Sequence, residues 1–428
     1  MLETLRNAWK IKEIRNKILF TILIIIIFRI GSVIPVPYID VAALKAATET
    51  GAANEFFSYL SILTGGGLEY GAIFAMSVTP YINSSIIIQL LCVAIPALER
   101  LSKEGEEGQK KLAQITRYAT VILALIQGTA YFFYLKGNNY LSVSKTGAVV
   151  FAGFVIILAF TAGSAMVMWL GERIDEKGIG NGISMLLFAG ILSRGPQALF
   201  TLIEYWKLDK QFAVVGIVLM FLLVIAFIVW MTNAERRIPV QYAKRVVGNK
   251  MYGGQNSHIP IKVNMSGVMP IIFASSILML PTMILSFMGQ TTNPSSFYKF
   301  LSLFSVQGVF YAVIYFLLII GFAYFYATIQ FNPVEMANNL RKNGGAVPGI
   351  RPGKPTSDFI SKILSRITLM GAIFLSAIAI LPILVGSVGG INISLGGTSV
   401  LIMVGVALDT VQNLESQMMM RHYKGFLD

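Results

Sequence analysis

The chain has 428 residues, of which 55% are hydrophobic and only 13% are charged. Soluble globular proteins carry nearer ~25% charged residues, so the composition excludes an ordinary soluble domain. The formal net charge is +13 at pH 7, and a single cysteine, Cys92, excludes an intrachain disulfide. The apolar residues fall into blocks of about 17 or more, which is the length needed to cross ~30 Å of hydrocarbon. The sequence therefore predicts a polytopic membrane protein.

Ten segments are predicted to span the membrane. They lie at approximately 18–34, 71–95, 116–135, 148–170, 180–200, 211–232, 267–288, 307–329, 367–386 and 398–414. The first is interpreted as an uncleaved helix and not a signal peptide, because nine further spans follow it. The basic stretch before it, 1–17, predicts an amphipathic helix on the cytoplasmic face, and 415–428 form a tail.

The distribution of basic residues predicts the orientation. If the N-terminus is cytoplasmic, the inside segments hold 26 of the 34 Lys and Arg residues and the outside connections hold 7. An excess of this kind marks the cytoplasmic side of membrane proteins. Both termini are therefore expected inside, and the positive charge needs no nucleic-acid partner to explain it.

The even number of spans predicts an internal symmetry. Two halves of five spans each, 18–193 and 211–414, must point in opposite directions across the membrane. Inverted repeats of this kind place a functional passage at their mutual interface. The external connection 194–210 joins the two halves.

The sequence offers little for catalysis or ion coupling. The two histidines, His258 and His422, lie in predicted cytoplasmic segments, and no phosphate-binding loop of the Walker type occurs. Ion-coupled transporters usually need an acidic residue inside the membrane, and the predicted span interiors contain none. A secondary transporter for a small solute and an insertase with a charged groove remain alternatives, although the sequence shows neither a buried acid nor such a groove.

Polar residues concentrate in the second and seventh spans, each the second span of its half. They surround Pro80 and Pro270, and the third span adds one more. The set is Thr79, Asn83, Ser85, Gln89, Gln127, Ser275 and Ser276. These residues either cover carbonyls that the prolines free and allow close packing, or form a weakly bonded interface that can part.

A short apolar stretch precedes the second span and ends in three glycines, Gly65, Gly66 and Gly67. It is too short to cross a bilayer but could enter one halfway if protein surrounds it. An ordinary glycine-rich external loop is the alternative, but it leaves the apolar run before the glycines unexplained.

Eight blocks in order resemble the SecY family of protein-conducting channels. They read "LTGGGL", "PYINSSIIIQLL", "RIDEKGIGNGISM", "RRIPVQYAKR", "IPIKVNMSGVMPIIFASS", "FNPVEMANNLRKNGG", "VPGIRPGKPT" and "GGTSVLIMVGVALDT". The resemblance implies an all-α fold of ten transmembrane helices in two inverted five-helix halves. These halves enclose a central hourglass pore with a lateral gate between spans two and seven. It further implies passage of unfolded secretory polypeptides and lateral release of apolar segments into lipid.

The resemblance also implies three sets of functional residues besides the polar gate. The pore ring is expected at Val78, Ile82, Ile183, Leu187, Ile272 and Ile402. The plug, 57–68, is expected to use Phe57, Leu60, Ile62, Leu63, the three glycines and Leu68. Docking residues are expected in the cytoplasmic loops 233–264 and 330–366, namely Arg236, Arg237, Lys244, Arg245, Lys250, Arg351 and Lys354.

The implied partners are those of a bacterial translocase. They are the SecE and SecG subunits, the SecA ATPase motor, the ribosome, signal sequences and nascent polypeptides, and membrane lipid. The implied location is the bacterial inner membrane with both termini cytoplasmic. No cofactor, metal or enzymatic activity is expected of this chain.

Overall fold

The computed structural model describes residues 6, 8–49, 64–143, 145–207, 211–242, 245–247, 250–252, 256–265, 267–288, 296–304, 309–389 and 397–424. Most of these residues are helical. The helices are α1 (Lys12–Gly31), α2 (Val41–Glu49), α3 (Thr79–Ala94), α4 (Pro96–Lys103), α5 (Glu106–Gly137), α6 (Thr146–Lys177), α7 (Gly182–Leu192), α8 (Gly195–Lys207), α9 (Gln211–Thr232), α10 (Met269–Met288), α11 (Ser296–Ser302), α12 (Val309–Gln330), α13 (Pro333–Lys342), α14 (Lys354–Gly389) and α15 (Gly397–Lys424). The strands are β1 (Glu235–Tyr242), β2 (Arg245–Val247), β3 (Lys250–Tyr252), β4 (Asn256–Lys262) and β5 (Gly345–Ala346).

The described helices fit a multi-pass membrane protein. Six helical stretches, two of them formed by α7 with α8 and by α12 with α13, are long and apolar enough to cross a bilayer, and the pair α3 and α4, bent by 104°, raises the number to seven. Each of the ten predicted segments overlaps at least one helix. The fifth segment is divided between α7 and α8, with Ser193 and Arg194 at the break.

Several boundaries differ from the sequence prediction, and two of them lie in the first and second spans. The first span helix begins at Lys12, inside the stretch expected to form a separate surface helix. Residues 71–78 were expected in the second span but form turns, and α3 begins only at Thr79.

The expectation that Pro80 and Pro270 free carbonyls inside their helices is wrong. Both prolines lie in the first turn of α3 and α10, respectively. At that position the missing N–H has no intrahelical acceptor to lose, and the fixed φ of proline favours helix initiation.

The helices pack as two groups. In the N-terminal group, α6 contacts α1, α3, α5 and α7, and in the C-terminal group, α14 contacts α10, α12 and α15. Each group buries its own apolar core, with Phe160 and Leu135 in the first and Ile228 and Ile319 in the second. The groups meet where α7 contacts α15 and where α10 contacts α3 and α5.

The two basic connections fold together on one side of the C-terminal group. β1 pairs antiparallel with β4 and with β5, in the sheet order β4-β1-β5. The inward side chains Ile238 and Val240 pack with Leu340 of α13 and Ile360 of α14. These connections are therefore a small folded unit and not extended loops, a feature that their basic composition did not reveal.

Glycines allow two helices of the N-terminal group to pack very closely. A Cβ on Gly182, at the start of α7, would lie 2.0 Å from the backbone oxygen of Gly171 in α6. The Asp175 carboxylate accepts the Gly182 N–H at 2.7 Å, and the Asn181 side chain accepts the Ser184 N–H at 3.0 Å. The "GIGNG" stretch thus fixes a turn between two tightly packed helices and caps the second.

Candidate functional site

An apolar cluster joins the two helix groups at the centre of the molecule. All six residues expected to form a pore ring belong to it, and we call these six the waist. Val78, Leu187 and Ile402 are buried in the cluster, while Ile82, Ile183 and Ile272 pack against it and are partly buried. The N-terminal group supplies four of them from α3 and α7, and the C-terminal group supplies two from α10 and α15.

The local geometry of the waist follows from helix periodicity. Val78 is the N-cap residue of α3, and the Ile82 N–H donates to the Val78 carbonyl at 3.0 Å. Ile183 and Leu187 have the same four-residue spacing on α7, so each pair shares one helix face. Side chains of this kind can exclude water and ions by dewetting and can yield to a varied guest without polar selectivity.

The two helices of the expected gate begin in the same way, which is a signal that sequence reasoning missed. Each helix start has the same four-residue order: a residue with positive φ, a valine, any residue and a proline. The matching stretches are "SVTP", with Ser77 at φ 49°, and "GVMP", with Gly267 at φ 59°. Two residues beyond each proline stands a waist isoleucine, Ile82 or Ile272. This internal match relates the second and seventh spans, as two halves of five would require.

The contact between α3 and α10 is held by packing. The Ser275 hydroxyl donates to the Ile272 carbonyl at 2.9 Å, and the Gln89 amide donates to the Ser85 hydroxyl at 3.4 Å. Both bonds lie within a single helix. In the part of the chain that the structure describes, no side-chain hydrogen bond joins α3 to α10.

The remaining gate residues are partly buried. Thr79 and Asn83 lie on α3, Gln127 on α5 and Ser276 on α10. The Asn83 Oδ1 atom is buried and has no hydrogen-bond partner among the described residues. A buried amide oxygen without a partner costs free energy in this arrangement of the helices.

The glycine stretch before the second span is anchored from several sides. Gly65 and Gly66 have φ of 64° and 89°, which only glycine adopts readily. The Gly65 carbonyl accepts from the Arg29 guanidinium at 3.2 Å and from the Ser193 hydroxyl at 3.4 Å. Leu68 is buried, and its carbonyl accepts the Tyr131 hydroxyl at 3.1 Å. The other expected plug residues, Phe57, Leu60, Ile62 and Leu63, lie outside the described residues.

An ion pair adds to this anchoring and was not anticipated from the sequence. Arg194, at the break between α7 and α8, pairs with Glu69. Their side chains are only 11% and 18% exposed, respectively. Because 125 residues separate Glu69 and Arg194 along the chain, no local sequence pattern predicts their contact.

Four of the seven expected docking residues are exposed on the small folded unit. Arg236 and Arg237 are exposed on β1, and Arg237 pairs with Glu235 at 2.6 Å. Arg351 is exposed in a turn between Gly349 and Gly353, both of positive φ, and Lys354 begins α14. Arg245 and Lys250 lie in the hairpin of β2 and β3, whose side chains are not described, and Lys244 falls outside the described residues.

A polar cavity of about 280 Å³ lies beside the waist, between the start of α7 and α15. Val406, which belongs to the same apolar cluster as the waist residues, is one of its lining residues. Its other lining residues include Asn181, Ser184, Asp409 and Thr410. A cavity with polar walls can hold water, and the apolar constriction next to it can exclude water.

Comparison with known proteins agrees with this arrangement. The SecY family model matches residues 72–411. Proteins named protein translocase subunit SecY from Streptomyces scabiei, Thermotoga maritima and Mycobacterium tuberculosis are each 42% identical to this chain. The alignments cover 100% of this chain in each case and 100%, 98% and 100% of those proteins, respectively.

Solved structures show the same fold at lower sequence identity. A protein-conducting channel is 17% identical with a TM-score of 0.63, and the match covers 94% of this chain and 92% of that one. Sec61 in the canine ribosome-channel complex from the endoplasmic reticulum is 16% identical with a TM-score of 0.61, at the same coverage.

Proposed function

The chain belongs to the SecY family of protein translocase subunits, and on that premise we propose how its residues work. Unfolded secretory polypeptides cross the membrane through the waist, and apolar segments leave sideways between α3 and α10 into lipid. One observation carries the proposal: six apolar side chains from both helix groups meet in a single cluster beside a polar cavity.

The proposed opening begins at the contact of α3 and α10. A signal sequence or an apolar span wedges between these helices, which packing alone holds together among the described residues. The gate parts, the segment carrying the glycine stretch shifts, and the waist closes around the moving chain. Branched aliphatic side chains suit this role because they seal against any sequence without binding one tightly.

Energy must come from partners, since the chain is a channel subunit and not an enzyme. We propose SecE and SecG as companion subunits and either the SecA motor or a translating ribosome as the source of force. Exposed arginines on β1 and in the 349–353 turn suit both acidic protein surfaces and RNA phosphates. We place the chain in the bacterial inner membrane with both termini cytoplasmic, where the positive-inside rule puts its basic connections.

Reconstitution tests the proposal directly. Proteoliposomes containing this chain and its companion subunits should import a secretory precursor only when the motor and ATP are both present. Uptake of sugars, amino acids and other small solutes should equal that of empty liposomes. Solute uptake without precursor import would instead favour the secondary transporter.

Arg351 provides a test of the docking surface. The two glycines hold its side chain out from the folded unit, so Arg351→Ala removes an exposed contact without opening a cavity. We expect motor-driven precursor import to fall roughly tenfold, the effect typical of an arginine at the centre of an interface. Arg100→Ala, which removes an exposed arginine from α4, is the matched control. Equal import by both variants would place motor docking elsewhere.

A further inference from the structure

The segment 64–70, which leads from the proposed plug to the second span, is tied to three different helices of the N-terminal group. Arg29 of α1 donates to the Gly65 carbonyl, Tyr131 of α5 donates to the Leu68 carbonyl, and Arg194 after α7 pairs with Glu69. On its outer side, the Lys45 ammonium of α2 lies 5.5 Å from the centre of the Tyr70 ring. These contacts differ in kind, and only one of them is an ion pair.

We propose that the Glu69–Arg194 ion pair is a latch that holds the channel shut and sets how strong a signal sequence must be to open it. The inference rests on the proposed function, because it assumes that segment 64–70 moves with the plug. It assigns a positioning role to two residues that lie outside the waist and outside the polar gate.

The burial of the Glu69–Arg194 pair determines how strongly a change in it affects the closed state. At 11% and 18% exposure, the Arg194 and Glu69 side chains have lost most of their hydration, and the ion pair compensates part of that cost. If segment 64–70 swings away, both groups return to external water and no longer need a partner. Loss of one partner would therefore leave a buried, uncompensated charge in the closed state but not in the open one, and a penalty confined to one state shifts a conformational equilibrium.

The surrounding residues show why a latch is placed at this position. Gly65 and Gly66 both have positive φ and lack side chains, so the backbone there is suited to act as a pivot. A Cβ on Gly65 would lie 2.7 Å from the Gly190 carbonyl oxygen, at the end of α7. Gly65 therefore packs directly against the last turn of α7. The ion pair between Glu69 and Arg194 lies just beyond the end of this helix.

The resting ion flux through the channel measures how firmly the ion pair keeps it closed. We expect Glu69→Gln to raise chloride flux through proteoliposomes that hold the channel and its companion subunits by roughly tenfold, since it removes the negative charge that pairs with the buried Arg194 guanidinium. Import of a precursor with a weakened signal sequence should rise in parallel. The reversed pair, Glu69→Arg with Arg194→Glu, should bring both quantities back towards wild type.

Glu99→Gln is the matched control, because it breaks the ion pair with Lys103 on α4, where both side chains are at least half exposed. It should leave the flux unchanged. Wild-type flux in Glu69→Gln, or a reversed pair as leaky as the single variant, would overturn the latch. Import of an intact precursor by the wild-type channel is read in the same vesicles. Failure there contradicts the proposed function, while the flux comparison still decides whether the ion pair closes the channel.

Discussion

Ile402→Asn should raise the resting ion flux of the reconstituted channel on the order of tenfold. Ile402 is 3% exposed and packs in the cluster with Val78 and Leu187. An amide there has no polar partner in the apolar seal, so water must enter to solvate it, and the barrier to ions falls by the cost of one unsatisfied group. Chloride flux in sealed proteoliposomes measures the change. The same variant should import precursors with weakened signal sequences, because the closed state loses stability relative to the open one.

Two variants make this result specific. Ile402→Val keeps the site apolar and should retain most of the seal. Ile373→Asn introduces the same amide on α14, where the isoleucine is 47% exposed and lies outside the cluster, and should not raise the flux. If Ile402→Asn is properly folded but as tight as wild type, the waist does not form the barrier. Crosslinking of a stalled precursor to lipid-facing positions and not to waist positions would lead to the same conclusion.

Local patterns in the sequence were enough to predict much of the fold. Long apolar blocks and the asymmetry of Lys and Arg predicted the spans, because both reflect the bilayer directly. The waist residues came from matched family blocks, supported by the four-residue spacing of Ile183 and Leu187. The match between "SVTP" and "GVMP" was also present in the sequence, but it covers four residues, and only the shared positive φ and helix start give it structural meaning.

Contacts between distant parts of the chain could not be predicted in this way. Glu69 and Arg194 appear in the sequence as ordinary charges in two external connections, and only folding buries them together. The sheet of β1, β4 and β5 was missed for a related reason. Its basic residues suggested solvated loops, and the two-residue strand β5 joins from the other cytoplasmic connection.

Gly163→Ala should destabilise the protein although it adds only one methyl group. A Cβ at Gly163 of α6 would lie 2.0 Å from the Ile73 carbonyl oxygen. That oxygen belongs to the backbone of the 71–78 turns, which lead directly to Val78 at the waist. Relief therefore requires moving either α6 or the turns, at a cost of ~1–3 kcal/mol typical of overpacking.

Thermal unfolding of the detergent-solubilised complex measures that cost, and Gly147→Ala is the control on the same helix. A Cβ at Gly147 meets nothing within 4 Å, so alanine there should be neutral or slightly stabilising because of its higher helix propensity. The flux assay separates local from global damage: displacement of the turns should also loosen the waist, so Gly163→Ala should leak while Gly147→Ala stays tight. Equal melting temperatures for the two variants would contradict the close approach of α6 to Ile73. They would also argue that the 71–78 turns do not fix the position of Val78 in the seal.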